Sequence, residues 1–252
     1  MVLVMPEDCV IVDRHAGWLH GAEMVLAPNE HLDVMPLRLF RPSDHGRLRN
    51  VLTESGERNL RPEDVTEIHG LPVTTMARTA WDLGRVRSRQ RSLAGMDQML
   101  RLPDFPLDQF LAGVERFRGQ RWVRNLRTLA PLADARAESP GESALRLAWL
   151  DAGLPAPVPQ LELWENGFLV ARADLGNEDI AYIAEYDGFE WHSSPDQRLH
   201  DRERRELMSD HGFLVDVFDR DNVYGQRANA ADLLALGARR ALVERDRRRL
   251  FL

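Results

Sequence analysis

Three carboxylates and an imidazole fall close together in the run VARADLGNEDIAYIAEYDGFEWH, residues 170–192: Asp174, Glu185, Asp187 and His192. Carboxylates crowded at one end of a small sheet repel one another unless a cation sits among them. Mg²⁺ or Mn²⁺ held by carboxylate oxygens is the simplest relief. A bound divalent ion is therefore the first expectation.

These groups can meet only if the chain around them forms adjacent strands. Phe168 to Leu175 alternates loosely and is expected as a strand ending on Asp174. Gly176-Asn177-Glu178-Asp179 carries a turn signal, and the apolar run Ile180 to Ala184 reads as a buried strand. Strand side chains repeat with period two, so Glu185 and Asp187 are expected on one face, with Gly188 letting the backbone turn after them. Upstream, Ser139 and Glu142 have capping-box spacing around Pro140, which predicts a helix to about Asp151 that buries Leu145, Ala148 and Trp149. Gly153 ends it, and Gln160 to Trp164 is a strand joined to the next by the hairpin turn Asn166-Gly167. Downstream, Ser194 or Asp196 caps a charged helix over 197–211, Phe213 to Phe218 is a strand, and 228–247 is a last helix. Helix, three strands, helix, strand, helix predicts an α/β (α+β) unit with a mixed sheet flanked by helices.

The small, polar run ADARAESPGES separates this unit from what precedes it, giving expected domains of 1–134 and 135–252. In the first, Val10 to Val12, Leu32 to Pro36 and Arg47 to Leu52 read as strands, and Asp13 as the N-cap of a brief helix through Trp18 and His20. Val65 to His69 and Leu71 to Val73 form a pair around Gly70. Thr74 or Thr75 caps a helix with Met76, Ala80, Trp81 and Leu83 at helical spacing, and further helical patterns cover 88–100, 107–117 and 121–132. The expectation is a small mixed α/β module rich in helices.

Charge divides along the same line. The net charge is -7, all 33 basic residues are arginine, and the second part, from Ala137 on, holds 14 basic and 22 acidic residues. That acidity argues against nucleic-acid binding, although bound divalent ions would offset part of it. One cysteine, Cys9, excludes an intramolecular disulfide and fits a reducing compartment. Nothing near Met1 resembles a signal peptide and no apolar run is long enough to cross a bilayer, so a cytoplasmic location without membrane contact is expected. There is no Gly-rich phosphate loop, cysteine-based zinc pattern or Gly-x-Ser-x-Gly elbow, and the remaining histidines are scattered.

The phrases VIVDRHAGWLHG, RPEDVTEIHGLPVTTMARTAWDLGR and AESPGESALRLAWLDAGLPAP resemble bacterial proteins in which a module similar to AbiEi-type abortive-infection antitoxins precedes a nuclease-like domain. Members often begin with a winged-helix segment; no helix-turn-helix is read ahead of Asp13. The second unit resembles the restriction-endonuclease fold, the PD-(D/E)xK superfamily, near its very-short-patch-repair branch. That resemblance implies that Glu142 is the acidic residue of the first helix, Asp174 the strand aspartate and Glu185 the first member of the Glu-x-Lys pair. Asp187 stands where the superfamily has lysine; the nearer branch often has aspartate there, then glycine and a downstream histidine, as in EYDGFEWH.

The chemistry implied is hydrolysis of a DNA phosphodiester, in which an ion lowers the pKa of its water and polarises the phosphoryl oxygen. Asp174 and Glu185 would ligate the ion directly, Asp187 would be a third ligand or orient the water, and Glu142 would hold a second ion or an ion-bound water. His192 is a candidate general base or acid. Arg202, Arg205 and Arg172 are candidate phosphate contacts, with Asp201 and Arg205 matching an Asp and an Arg of the similar family. The expected function is thus a Mg²⁺- or Mn²⁺-dependent endonuclease acting on DNA in defence or repair, with a protein partner engaged through the first module. The competing reading is an inactive nuclease-fold regulator or antitoxin-like protein that binds DNA or a protein partner, its acids being solvated charges at strand ends.

Overall fold

Cys9, Ile11, Leu39 and Val73 share one small apolar core because β1 (Val10–Ile11) runs antiparallel to β2 (Leu37–Arg41) and parallel to β5 (Leu71–Thr74). With β3 (Thr53–Glu57) and β4 (Val65–Ile68) they make a mixed sheet of order β3-β2-β1-β5-β4. The structure, a computed structural model, describes residues 5–22, 36–188 and 195–250. It divides into two units, Met1–Ala135 and Arg136–Leu252.

Helices of the first unit are α1 (Asp13–Leu19), α2 (Met76–Gly84), α3 (Arg89–Leu100), α4 (Leu107–Gly113) and α5 (Val123–Leu129). Thr75 caps α2 by accepting from the Arg78 amide, and Ser88 caps α3 in the same way from Arg91. Two expectations fail here. Residues 47–52 form no strand, because the Asn50 side chain accepts from Leu52 N and Thr53 Oγ1 and folds that stretch into a turn before β3. Asp13 is the first helical residue rather than the cap, a place taken by Val12, and its carboxylate is spent on Arg38 and Arg58. Of the strand expected over Leu32 to Pro36, residues 32–35 lie outside the described residues.

The polar interior of this unit is ionic. Arg78, 1% exposed, donates to Asp82 at 2.8 Å, to Asp64 at 2.7 Å and to the Asn59 carbonyl at 2.9 Å. Arg116 also clamps Asp64, and Arg58 bridges Asp13 and Asp82. The guanidiniums of Arg78, Arg85 and Arg116 all lie over the Phe117 ring, 4.2–5.6 Å from its centre. Each buried carboxylate thereby meets several donors, the condition under which buried charges persist.

The second unit orders its sheet β6 (Val158–Glu165), β7 (Phe168–Asn177), β8 (Tyr182–Tyr186), β9 (Leu214–Phe218). The first three are antiparallel neighbours and β9 is parallel to β8, so the sheet is mixed. Side chains on β8 alternate between two cores. Tyr182 and Ala184 join Leu145 and Trp149 of α6 (Pro140–Asp151) and Leu234 and Ala238 of α9 (Ala230–Leu250). Ile183 joins Leu161, Leu163, Ala173 and Met208, the last from α7 (Pro195–Asp210). Gly141 and Gly237 allow close approach: a Cβ on the first would strike the Tyr186 ring, and on the second the Tyr182 hydroxyl and Asp216.

The Asn166-Gly167 turn has both residues at positive φ, 51° and 82°, as its type requires. The following turn sits two residues later than expected. Gly176 and Asn177 belong to β7, Asn177 Oδ1 accepts from Ile180 N, and Ala181 takes a left-handed conformation, so β8 starts at Tyr182. Asp174 consequently lies inside β7, not at its end. Asp196 falls within the first turn of α7 rather than capping it, and Ser194 lies outside the described residues. A short helix α8 (Arg220–Val223), closed by a reciprocal Asp219/Asn222 capping box, was not expected. Among the described residues no helix is long and apolar enough to cross a membrane.

Candidate functional site

Glu185 sits in β8 on the side facing α7, its side chain 3% exposed. Arg204 of α7 grips it bidentately, Nη1 to Oε1 at 2.8 Å and Nη2 to Oε2 at 3.0 Å, and Arg205 adds a longer contact from Nε at 3.3 Å. Arg204 also donates to the Arg172 carbonyl at 2.8 Å, which ties α7 to β7.

Asp174 is brought beside Glu185 by the β7–β8 register, in which Leu175 faces Ala184. One of its oxygens accepts from Tyr186 N at 2.8 Å. Glu142, in the first turn of α6, accepts from Glu138 N and from Gln160 Nε2, both at 2.8 Å. Ser139 caps the helix as expected, accepting from Glu142 N at 3.1 Å, but the reciprocal bond goes to Glu138, one residue before the cap. Burial pushes the carboxyls of Glu142, Asp174 and Glu185 above their ordinary values. The charge of Asp174 raises Glu142 and Glu185 further, while the Arg204 guanidinium pulls Glu185 back down.

The other expected residues are placed as follows. Asp187 is exposed, and its amide extends the sheet by donating to the Phe218 carbonyl at 2.8 Å. Arg172 pairs with Glu138 at 3.0 Å, and Arg202 with Glu206 one helical turn away at 2.9 Å. Asp201 stands 3.9 Å from Arg204. His192 lies outside the described residues. Among the described residues, no group of three or more His, Cys, Asp or Glu side chains is arranged to hold a metal ion. Glu185 turns its oxygens to the guanidiniums of Arg204 and Arg205.

Two participants were not singled out in advance. Arg204 lies in a helix dense with charge, and which of its arginines reach β8 depends on the helix rotation, set by Met208 in the core. Gln160 lies in β6 opposite Asp174, between the pairs Pro159–Leu175 and Leu161–Ala173, with φ of 53°. A non-glycine residue held there is strained, and the strain delivers its carboxamide to Glu142. Strand periodicity carries no sign of it.

Residues 9–132 match the family model of the AbiEi antitoxin C-terminal domain, which is nearly all of the first unit. Two uncharacterized proteins of Mycobacterium tuberculosis, from strains CDC 1551 / Oshkosh and ATCC 25618 / H37Rv, are each 34% identical over 148 residues, covering 59% of this chain. The match spans 55% of each relative, little more than half its length. No solved structure matches the chain. The chain therefore carries an AbiEi-like antitoxin domain followed by a second, mixed α/β unit.

Proposed function

We propose that this chain is an antitoxin-like regulator that works by binding a protein partner through its first unit, with the second unit a nuclease-like scaffold whose acids are neutralised internally. The match of residues 9–132 to an antitoxin domain carries this reading. The Arg204–Glu185 pair supports it, because a protein-supplied cation stands at the carboxylate a nuclease would give to its metal. Arg172 and Arg202 are likewise engaged by carboxylates. The net charge of -7 is unfavourable to broad contact with a phosphate backbone.

A second reading, a Mg²⁺- or Mn²⁺-dependent endonuclease, is supported by the electrostatic coupling of Asp174 to both Glu142 and Glu185. It requires Arg204 to leave Glu185 when an ion or DNA arrives. The two readings part in one experiment. The chain is incubated with supercoiled, linear and single-stranded DNA in Mg²⁺ or Mn²⁺, and metal binding is followed by calorimetry. The regulator reading expects intact DNA and no metal heat. DNA breakdown that disappears in Asp174→Asn and Glu185→Gln would overturn it.

A further inference from the structure

We infer that the first unit binds single-stranded nucleic acid, on an arginine face built by the α2–α3 loop and the start of α5 around the exposed ring of Trp122. Charge is sharply segregated in this chain. Its net charge is -7, yet residues 83–96 and 116–133 together hold nine arginines and no aspartate or glutamate. Folding joins the two stretches. Asn125 Nδ2 donates to the Val86 carbonyl at 2.7 Å and to the Arg87 carbonyl at 3.3 Å, and Arg85 donates to the Gln120 side chain. Closely spaced turns crowd Arg118, Arg121 and Arg124 into one short segment, with Gln120 N on the Phe117 carbonyl and Asn125 N on the Trp122 carbonyl. These three arginines and Arg87 are exposed, and among the described residues none of the four guanidiniums makes a hydrogen bond or ion pair.

The acids bordering this face are already engaged. Glu115 pairs with Arg127 at 2.7 Å and Glu63 with Arg61 at 3.6 Å. Asp64 is buried against Arg78 and Arg116, and Asp82 against Arg58, Arg78 and Arg85. Asp97 and Asp104 belong to the other end of α3, where Asp134 N donates to Asp97, and Asp108 opens α4 from that end. Four like charges held together without a carboxylate repel one another, and an arriving polyanion relieves that. Trp122 decides which polyanion. It is 38% exposed, the Arg121 guanidinium lies over its ring at 5.2 Å, and its φ of 61° is left-handed. Bulky residues rarely adopt that backbone, and strain of this kind gathers at binding sites. An exposed aromatic ring among unpaired arginines offers guanidinium forks for phosphates and a flat face for an unstacked base. In a duplex the bases are closed to such a ring, and an acidic protein segment has no base to lay on it.

The test is fluorescence anisotropy of the full chain in EDTA, with labelled oligo(dT) and oligo(U) of about 20 nucleotides. A duplex of equal length and a polyglutamate peptide are measured alongside. Either single strand should bind, the tighter one telling RNA from DNA, with the duplex about tenfold weaker and the peptide weaker still. Affinity should fall with salt at a log–log slope of about -2 to -3, as three or four phosphate contacts require. Arg121→Glu with Arg124→Glu should abolish binding, whereas Arg239→Glu with Arg247→Glu on α9, an equal change in net charge, should leave it intact. Arg121→Gln with Arg124→Gln, the milder pair should the reversal unfold, should flatten the slope by about 1.4. Trp122→Asn removes the ring but keeps a residue that tolerates the left-handed backbone; it should weaken single-strand binding about tenfold with the slope unchanged. Circular dichroism checks that each variant is folded. No binding at low salt, a duplex or the peptide bound as tightly as the single strands, or folded arginine or Trp122 variants that bind like the wild type would overturn the inference.

Discussion

Replacing Arg204 by glutamine asks how much the second unit depends on its internal cation. The substitution removes two bonds to Glu185, at 2.8 and 3.0 Å, and one to the Arg172 carbonyl, leaving only the 3.3 Å contact from Arg205. Breaking a fully buried pair from one side costs about 3–5 kcal/mol. Arg204 is 29% exposed and Arg205 remains, so water and the second guanidinium recover part of this; a loss of about 2 kcal/mol is expected. In urea, with an m-value near 2 kcal/mol/M, the midpoint should fall by about 1 M. The loss should also depend on pH. Burial already pushes Glu185 up, and without Arg204 it rises further. The penalty is therefore full near neutrality and shrinks as pH falls through that raised pKa, because a protonated Glu185 needs no counter-charge. Adding Glu185→Gln should recover stability, giving a coupling of about 2 kcal/mol in a double-mutant cycle. A loss below about 0.5 kcal/mol near neutral pH, or an equal loss under mildly acidic conditions, would refute the reasoning.

Other expectations can be checked on the same protein. Arg78→Met strips buried Asp64 and Asp82 of their shared partner and should cost about 3–5 kcal/mol by denaturant titration, the most damaging single change in the first unit. At Gln160 the left-handed backbone should make the glycine variant about 1 kcal/mol more stable than the alanine variant, although both lose the bond to Glu142. The two units should respond oppositely to acid in peptide-resolved hydrogen exchange corrected for intrinsic rates. Burial raises Asp64, but bonds from Arg116 and the Arg61 amide and the charge of Arg78 prevail and hold it below its ordinary value. The first unit therefore keeps that stabilisation above the ordinary carboxylate pKa and loses it as pH falls through the depressed one. Glu142, Asp174 and Glu185 are raised, so the second unit gains protection as pH drops from neutrality towards ordinary carboxylate values, and loses it as pH rises through the raised ones. Uniform behaviour of both units would contradict this.

Elements governed by local chemistry were legible in the sequence. Ser139 and Thr75 announce helices that form, and Asn166-Gly167 announces the hairpin, because caps and tight turns are decided within a few residues. The turn after β7 was misplaced because Gly176-Asn177-Glu178-Asp179 offers several turn formers in a row. The choice among them falls to a tertiary bond, Asn177 Nδ2 donating to the Ala156 carbonyl, which leaves Asn177 Oδ1 to accept from Ile180 N within the turn. Asp174 and Glu185 could be picked out as neighbours from strand order, and Glu142 only through the resemblance to the restriction-endonuclease fold. The groups that neutralise Glu185 come from a helix whose rotation periodicity leaves open. The buried ionic lattice around Arg78 was invisible, since a sequence does not say which of many aspartates an arginine will meet.

The parallel pairing of β8 with β9 has a consequence for the order of folding. The β6–β7 hairpin closes through neighbouring residues, but β8 can meet β9 only after α7 has crossed between them. The arginine that neutralises Glu185 rides on that crossing helix, so the ion pair is expected to form with the crossover rather than in the local hairpin. Interactions made after the transition state govern how fast a protein comes apart rather than how fast it assembles. Stopped-flow measurements should therefore find that Arg204→Gln accelerates unfolding and leaves refolding nearly unchanged, making the Glu185 pair a latch on the lifetime of the folded second unit.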